Sequence, residues 1–148
     1  MNQDGLKVME ERFGRDTVIV LGTTDGDYPA MRYVNAYYED GAFYVITYAL
    51  SNKMQQIGKN SKVSLCAEWF SGRGWAVNLG YFGREDNKEL AEKLRREFAA
   101  WIDNGHNNFE DENTIILRID LVDCVLFSPG TRYDLSFDRN GLHDVRAQ

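Results

Sequence analysis

Cysteine, proline and histidine are scarce in this chain, with two of each in 148 residues. Cys66 and Cys124 lie far apart, each flanked by apolar residues, and read as buried small hydrophobes rather than a redox pair, although the sequence leaves a disulfide between them open. His106 and His143 share no metal-ligand spacing with either cysteine, so no protein-ligated metal is expected. Basic residues are outnumbered, 17 against 23 acidic, and the net charge of -6 gives none of the positive field that nucleic-acid binding requires. No segment is long and apolar enough to cross a bilayer, and nothing near the N-terminus joins a basic stretch to an apolar run. The expectation is a cytoplasmic protein with neither nucleic acid nor membrane as partner.

What is present describes one folded unit. An apolar fraction of 43% and an aromatic fraction of 13%, without repeats, low-complexity runs or a Pro/Gly/Ser linker, suit a single domain over residues 1–148. A chain of this size buries roughly two-thirds of its unfolded surface. Residues 130–148 are left as a tail, either laid over a partner's cleft or mobile.

Strand signals dominate. Residues 17–21 form a β-branched run and Thr24-Asp25-Gly26-Asp27 a turn before Pro29. Residues 30–38 and 42–48 are aromatic and β-branched, and the Asp-Gly pair between them predicts an antiparallel hairpin. Val63 to Phe70 and Trp75 to Phe82 predict another pair, turning at Ser71-Gly72-Arg73-Gly74. Residues 114–127 give one long or two short strands, closed by Pro129-Gly130. Short helices are expected over residues 4–14 and 52–58. A longer one starts at an Asp86/Glu89 capping box, carries the stripe Leu90, Leu94, Phe98, Trp101 and Ile102, and stops at Asn104-Gly105. Hairpin-joined strands with one long late helix favour a mainly β protein, an antiparallel barrel of six or seven strands with added helices.

One corner of that barrel carries chemistry. Folding the 30–48 hairpin places Thr47 and Tyr48 opposite Arg32, Tyr33 and Val34, and the chain then leaves through Ser51, Asn52 and Lys53 into a helix. Ser51 suits the N-cap, where unpaired N–H groups and the helix dipole favour an anion. Arginine's fork, lysine's ammonium and two hydroxyls would complete a phosphate site.

At these residues the chain resembles the pyridoxamine 5'-phosphate oxidase-like family of FMN-binding split barrels. The likeness rests on Arg32-Tyr33-Val34, Phe43 through Thr47, Ser51-Asn52-Lys53 and the run from Gln56 to Leu65, with matching element order from about residue 5 to residue 128. The resemblance implies that Arg32, Ser51 and Lys53 grip the FMN phosphate, with Thr47 and Tyr48 near the ribityl chain. It also implies a homodimer with FMN at the interface and a small-molecule substrate. FMN would supply the redox chemistry itself, so the lack of an evident nucleophile or catalytic dyad is no objection.

Three departures bear on function. Trp75 stands where the prototype oxidases have a flavin-contacting glutamine, and reads either as a ring neighbour or as barrel core. Tyr37 replaces the lysine five residues after the strand arginine, and Arg132 through Asp138 offers no counterpart to the oxidases' substrate-binding Arg and His. The reading is therefore an FMN-dependent oxidoreductase passing hydride or electrons to a small molecule, distinct from a pyridoxamine phosphate oxidase. A non-catalytic flavin-binding or sensing module, or a barrel for haem or deazaflavin with His106 or His143 as haem ligand, is the alternative.

Overall fold

The computed structural model describes residues 3–138 and 144–147. In chain order the elements are α1 (Gln3–Phe13), β1 (Thr17–Thr23), β2 (Ala30–Glu39), β3 (Ala42–Tyr48), α2 (Asn52–Lys59), β4 (Lys62–Ala67), β5 (Phe70–Tyr81), α3 (Lys88–Glu97), β6 (Thr114–Ser128), β7 (Thr131–Asp138) and β8 (Asp144–Ala147). The strands run in the order β3-β2-β1-β4-β5-β6, and pairing of β3 with β6 closes them into a six-stranded antiparallel barrel. This is the mainly β split barrel expected from the sequence. Residues 131–138, expected as part of a tail, instead form β7, which pairs with the outer half of β6 because the long β6 extends beyond the barrel; β8 pairs with β7.

Alternation decides what each strand buries. Ile19, Leu21, Phe43, Val45, Leu65, Leu117 and Ile119 point inward, and α1 adds Met9 and Phe13 to the same core. A second core lies outside the barrel, where Leu94, Phe98 and Ile102 pack over Ile116, Tyr44 and Ile46 on the outer faces of β6 and β3. The opposite outer face is left bare: Val18, Met31 and Tyr33 on β1 and β2 are exposed, Tyr33 by 78%. Among the described residues no helix is long and apolar enough to cross a membrane.

Several local expectations change in the structure. Asp40 and Gly41 do make the β2–β3 turn, both at positive φ as a two-residue primed turn requires. The β4–β5 turn, however, falls at Glu68-Trp69, with Ala67 paired to Phe70, so Gly72 and Gly74 lie inside β5. Trp69 takes φ of 57°, a conformation that bulky side chains rarely adopt, which is why no turn signal was legible there. The two glycines instead serve packing: a Cβ on Gly74 would stand 2.8 Å from the Asp120 carbonyl oxygen. The long helix is shorter than its apolar stripe and ends at Glu97, while Phe98 and Ile102 stay buried in the turns beyond. Its capping box does not form. Asn87 occupies the N-cap without a side-chain cap bond, and its amide donates to the Leu79 and Tyr81 carbonyls at 3.0 and 2.9 Å. Lys93 crosses to Glu39 of β2 at 2.7 Å rather than serving the helix alone.

The cysteines divide by the same alternation. Cys124 is buried, and burial pushes its thiol pKa up to about 12, but Cys66 faces outward on β4 and is exposed. The expectation that both are buried fails for Cys66. Both are free thiols.

Candidate functional site

The corner is made where the barrel splits. The β2–β3 ladder holds only from Glu39↔Ala42 to Tyr37↔Tyr44; beyond it β2 follows β1 and β3 follows β6. Arg32 and Thr47 therefore do not meet across a continuous ladder as the hairpin register suggested. The short helix α2 fills the gap and links them.

Ser51 caps α2 as expected, its Oγ accepting from the Met54 N–H at 3.3 Å. Met54 and Ile57 turn into the barrel core, which fixes the helix rotation and leaves Lys53 and Gln56 facing the corner. The Lys53 ammonium donates to the Thr47 hydroxyl. The Arg32 guanidinium donates to the Leu21 carbonyl at 3.1 Å, to Thr23 Oγ1 at 2.7 Å and, more distantly, to Gln56 Oε1 at 3.5 Å. Thr23 in turn donates to Gln56 Oε1 at 2.5 Å. The result is a half-buried cluster of two cations, two hydroxyls and an amide at one end of the barrel.

Charge is the informative property of this cluster. Among the described residues neither Arg32 nor Lys53 makes an ion pair with a carboxylate. Burial, and then the neighbouring Arg32, lower the Lys53 pKa from its ordinary 10.5, and burial lowers that of Arg32. An acidic protein thus holds two partly desolvated like charges side by side, an arrangement that an anion would relieve. The linkage has a definite sign. Below the depressed pKa both folded and unfolded chains carry the Lys53 proton and the fold bears the full penalty; between that pKa and 10.5 the unfolded chain holds more of the proton. Stability of the ligand-free protein is expected to gain from this group as pH rises through that window, by comparison of urea midpoints with those of Lys53→Met.

The other expected site residues divide between two faces. Val34 shares the inward face of β2 with Arg32, whereas Tyr33 points outward beside Met31. Tyr48 and Asn52 are exposed next to the corner. Trp75 is neither barrel core nor a corner residue: it lies half-buried on the outer face of β5 and lines a cleft that also includes Gly22, Thr23, Met31, Lys62 and Ser64. Thr23 therefore belongs to both the cleft and the cationic cluster. Tyr37 turns away under α3 and donates to Glu39 Oε1 at 3.0 Å, while burial raises its phenol pKa. Arg132 pairs with Asp134 on an exposed hairpin. His106 lies exposed in the loop after α3, and His143 is outside the described residues. Among the described residues no three His, Cys, Asp or Glu side chains gather as metal ligands.

Sequence reasoning missed Thr23 and Gln56. Gln56 carried a weak signal, standing three residues after Lys53 on the same helical face. Thr23 carried none, because its role depends on pairing with β2. Thr23 is 2% exposed, so Thr23→Val keeps its shape but strands one guanidinium N–H and leaves the Gln56 amide oxygen only its longer bond from Arg32. A loss of about 1–2 kcal/mol in urea-unfolding free energy is expected.

The barrel, its closing strand pair and the helix over one open end define the split-barrel fold found among flavin-binding proteins. Three solved structures show the likeness. A pyridoxamine 5'-phosphate oxidase-related, FMN-binding protein from Nostoc punctiforme matches with a TM-score of 0.59 at 17% identity, covering 99% of this chain and 94% of its own. An FAD-binding protein from Mesorhizobium loti matches at 0.60 and 15% identity, over 84% and 91%. General Stress Protein 26 from Bacillus anthracis matches at 0.61 and 20% identity, over 89% and 97%. No family model matches the sequence, and no curated protein does. At these identities the likeness establishes a shared fold.

Proposed function

We propose that the chain binds FMN by its phosphate at the Arg32–Lys53 corner and acts as an oxidoreductase that passes hydride or electrons to a small molecule. The observation carrying this reading is the pair of half-buried cations without a carboxylate partner among the described residues, set beside two threonine hydroxyls and the first turn of α2. The donor set fits a phosphate. Arginine offers a planar fork, lysine a point charge, and the helix start unpaired N–H groups.

Within this reading Arg32, Ser51 and Lys53 hold the phosphate, and Asn52 contributes the first-turn backbone. Thr47 and Tyr48 border the ribityl chain, whereas Val34 backs Arg32 from the inward face of β2 and Tyr33 lies on the outward face. Trp75, on the outer face of β5, lines the cleft beside that corner. When bound, FMN supplies a ring that accepts and returns hydride or single electrons. The chain's own contribution is to anchor and orient it, and to exclude water from the Arg32–Thr23–Gln56 network.

The bare face carrying Val18, Met31 and Tyr33 is the surface on which a second copy would pack, giving a homodimer with the cleft at its edge. Its position on β1 and β2, directly beside the cleft, supports that placement.

The test is the absorbance spectrum of the purified protein after incubation with excess FMN and desalting. Stoichiometric flavin bands are expected; a colourless protein would overturn the reading. Turnover of that flavin by a nicotinamide donor and an acceptor then separates an oxidoreductase from a carrier. Affinity should also fall as pH rises through the lowered Lys53 pKa, because the neutral amine loses its attraction for phosphate; a flavin fluorescence titration across pH 7 to about 10 measures it.

A further inference from the structure

Beside the cationic corner, a cleft of about 530 Å³ opens on the outer face of β1, β4 and β5, within the size range of small-molecule sites. Its origin is a missing side chain. Gly22 pairs with Met31 on one side and Ser64 on the other, and leaves a gap between them. One wall is aromatic: Trp75 lines the cleft, and Lys62, its cross-strand partner, holds its ammonium 5.4 Å from the indole ring centre.

The charge of the cleft is one-sided. Two cations line it, Lys62 and Arg73, and no carboxylate does. Arg73 is taken up by a two-pronged pair with Asp123. Lys62 makes no ion pair among the described residues, so its charge is the one available to a ligand. Neutral hydrogen-bonding groups stand nearby, the Ser64 hydroxyl and the Asn60 side chain, whose carbonyl oxygen is engaged by the Lys62 N–H at 3.1 Å and whose remaining polar atom is a donor. An indole wall, an ammonium poised over it and donors at the margin are the elements that recognise a flat, conjugated acid.

We propose that this cleft takes a planar conjugated carboxylate, with Lys62 selecting its charge and Trp75 its flat face. That the bound acid is the substrate rests on the flavin reading above; that it binds does not.

The experiment uses benzoate and its neutral isostere benzamide, titrated by calorimetry into the full chain with and without FMN. Benzoate is expected to bind at least tenfold more tightly than benzamide, and Lys62→Met should weaken benzoate about tenfold while leaving benzamide unchanged. Gly22→Val offers a second variant, since a Cβ there meets Ser64 and Met31 at ordinary contact distances of 3.6–3.8 Å. It should fold normally by circular dichroism and lose both ligands. Benzoate affinity indifferent to Lys62→Met, or unaltered by Gly22→Val, would overturn the cleft. Benzoate expelled by FMN would overturn its role as substrate. Lys62-dependent benzoate binding by a protein that retains no FMN would uphold the cleft and bring down the flavin reading instead.

Discussion

Replacing Lys53 by alanine is expected to weaken FMN binding by about 10- to 150-fold, the effect of removing one charge-assisted hydrogen bond to a phosphate. Lys59→Ala, an exposed change in the last turn of the same helix, should leave the affinity unchanged. The comparison isolates position from charge, since both variants remove one lysine from α2. The ligand-free proteins should diverge in the other direction. Lys53 is held beside Arg32 with its charge penalised by burial, so its removal relieves a repulsion at the expense of a single hydrogen bond to Thr47. The Lys53→Ala protein should therefore melt no lower than wild type without FMN, and markedly lower than wild type when FMN is in excess. Such a pattern marks a residue kept for binding to the detriment of the empty fold. Equal FMN affinities for the two variants in a flavin fluorescence titration would remove the corner from the site.

Phe43→Ala should have the largest effect on stability. Its ring is fully buried at the centre of the barrel and meets Tyr38, Phe13 and Phe70 at centroid separations of 5.4, 5.5 and 5.9 Å. It thereby joins β2, β3, β5 and α1. Truncation opens a cavity bounded by strands that cannot collapse independently, and a loss of about 3–5 kcal/mol is expected, equivalent to roughly ten degrees in melting temperature. Phe43→Leu should recover much of it, because volume rather than ring stacking dominates. A urea denaturation series reads both. A fall below about 1 kcal/mol for the alanine variant would mean that the interior repacks freely around position 43.

The local signals that proved legible share one property: they act within a few residues. Asp40-Gly41 specifies its turn because both positions need positive φ, and Ser51 specifies a cap because its hydroxyl reaches an amide three residues on. The antiparallel barrel followed from the number and spacing of such hairpins. Arg32, Thr47 and Lys53 could be assigned to one corner because the hairpin and the helix start are adjacent along the chain. Where a local signal was weak or contradicted, tertiary packing chose. Trp69 occupies a turn position that its side chain disfavours, because Ala67 and Phe70 are fixed by the β4–β5 register, and the glycines that looked like the turn are needed where β5 crosses β6.

The sequence by itself determined the class of fold, the hairpin, the cap and the cationic residues of the corner, since each rests on backbone preference or short-range spacing. Only the tertiary structure decided that Thr23 and Gln56 complete the corner, that Cys66 faces outward, that Trp75 walls a cleft and that β1 and β2 keep an uncovered face. Those outcomes depend on which strand lies beside which. Pairing β1 with both β2 and β4 brings Thr23 to Arg32 and sets Gly22 between Met31 and Ser64, and no spacing along the chain encodes that juxtaposition.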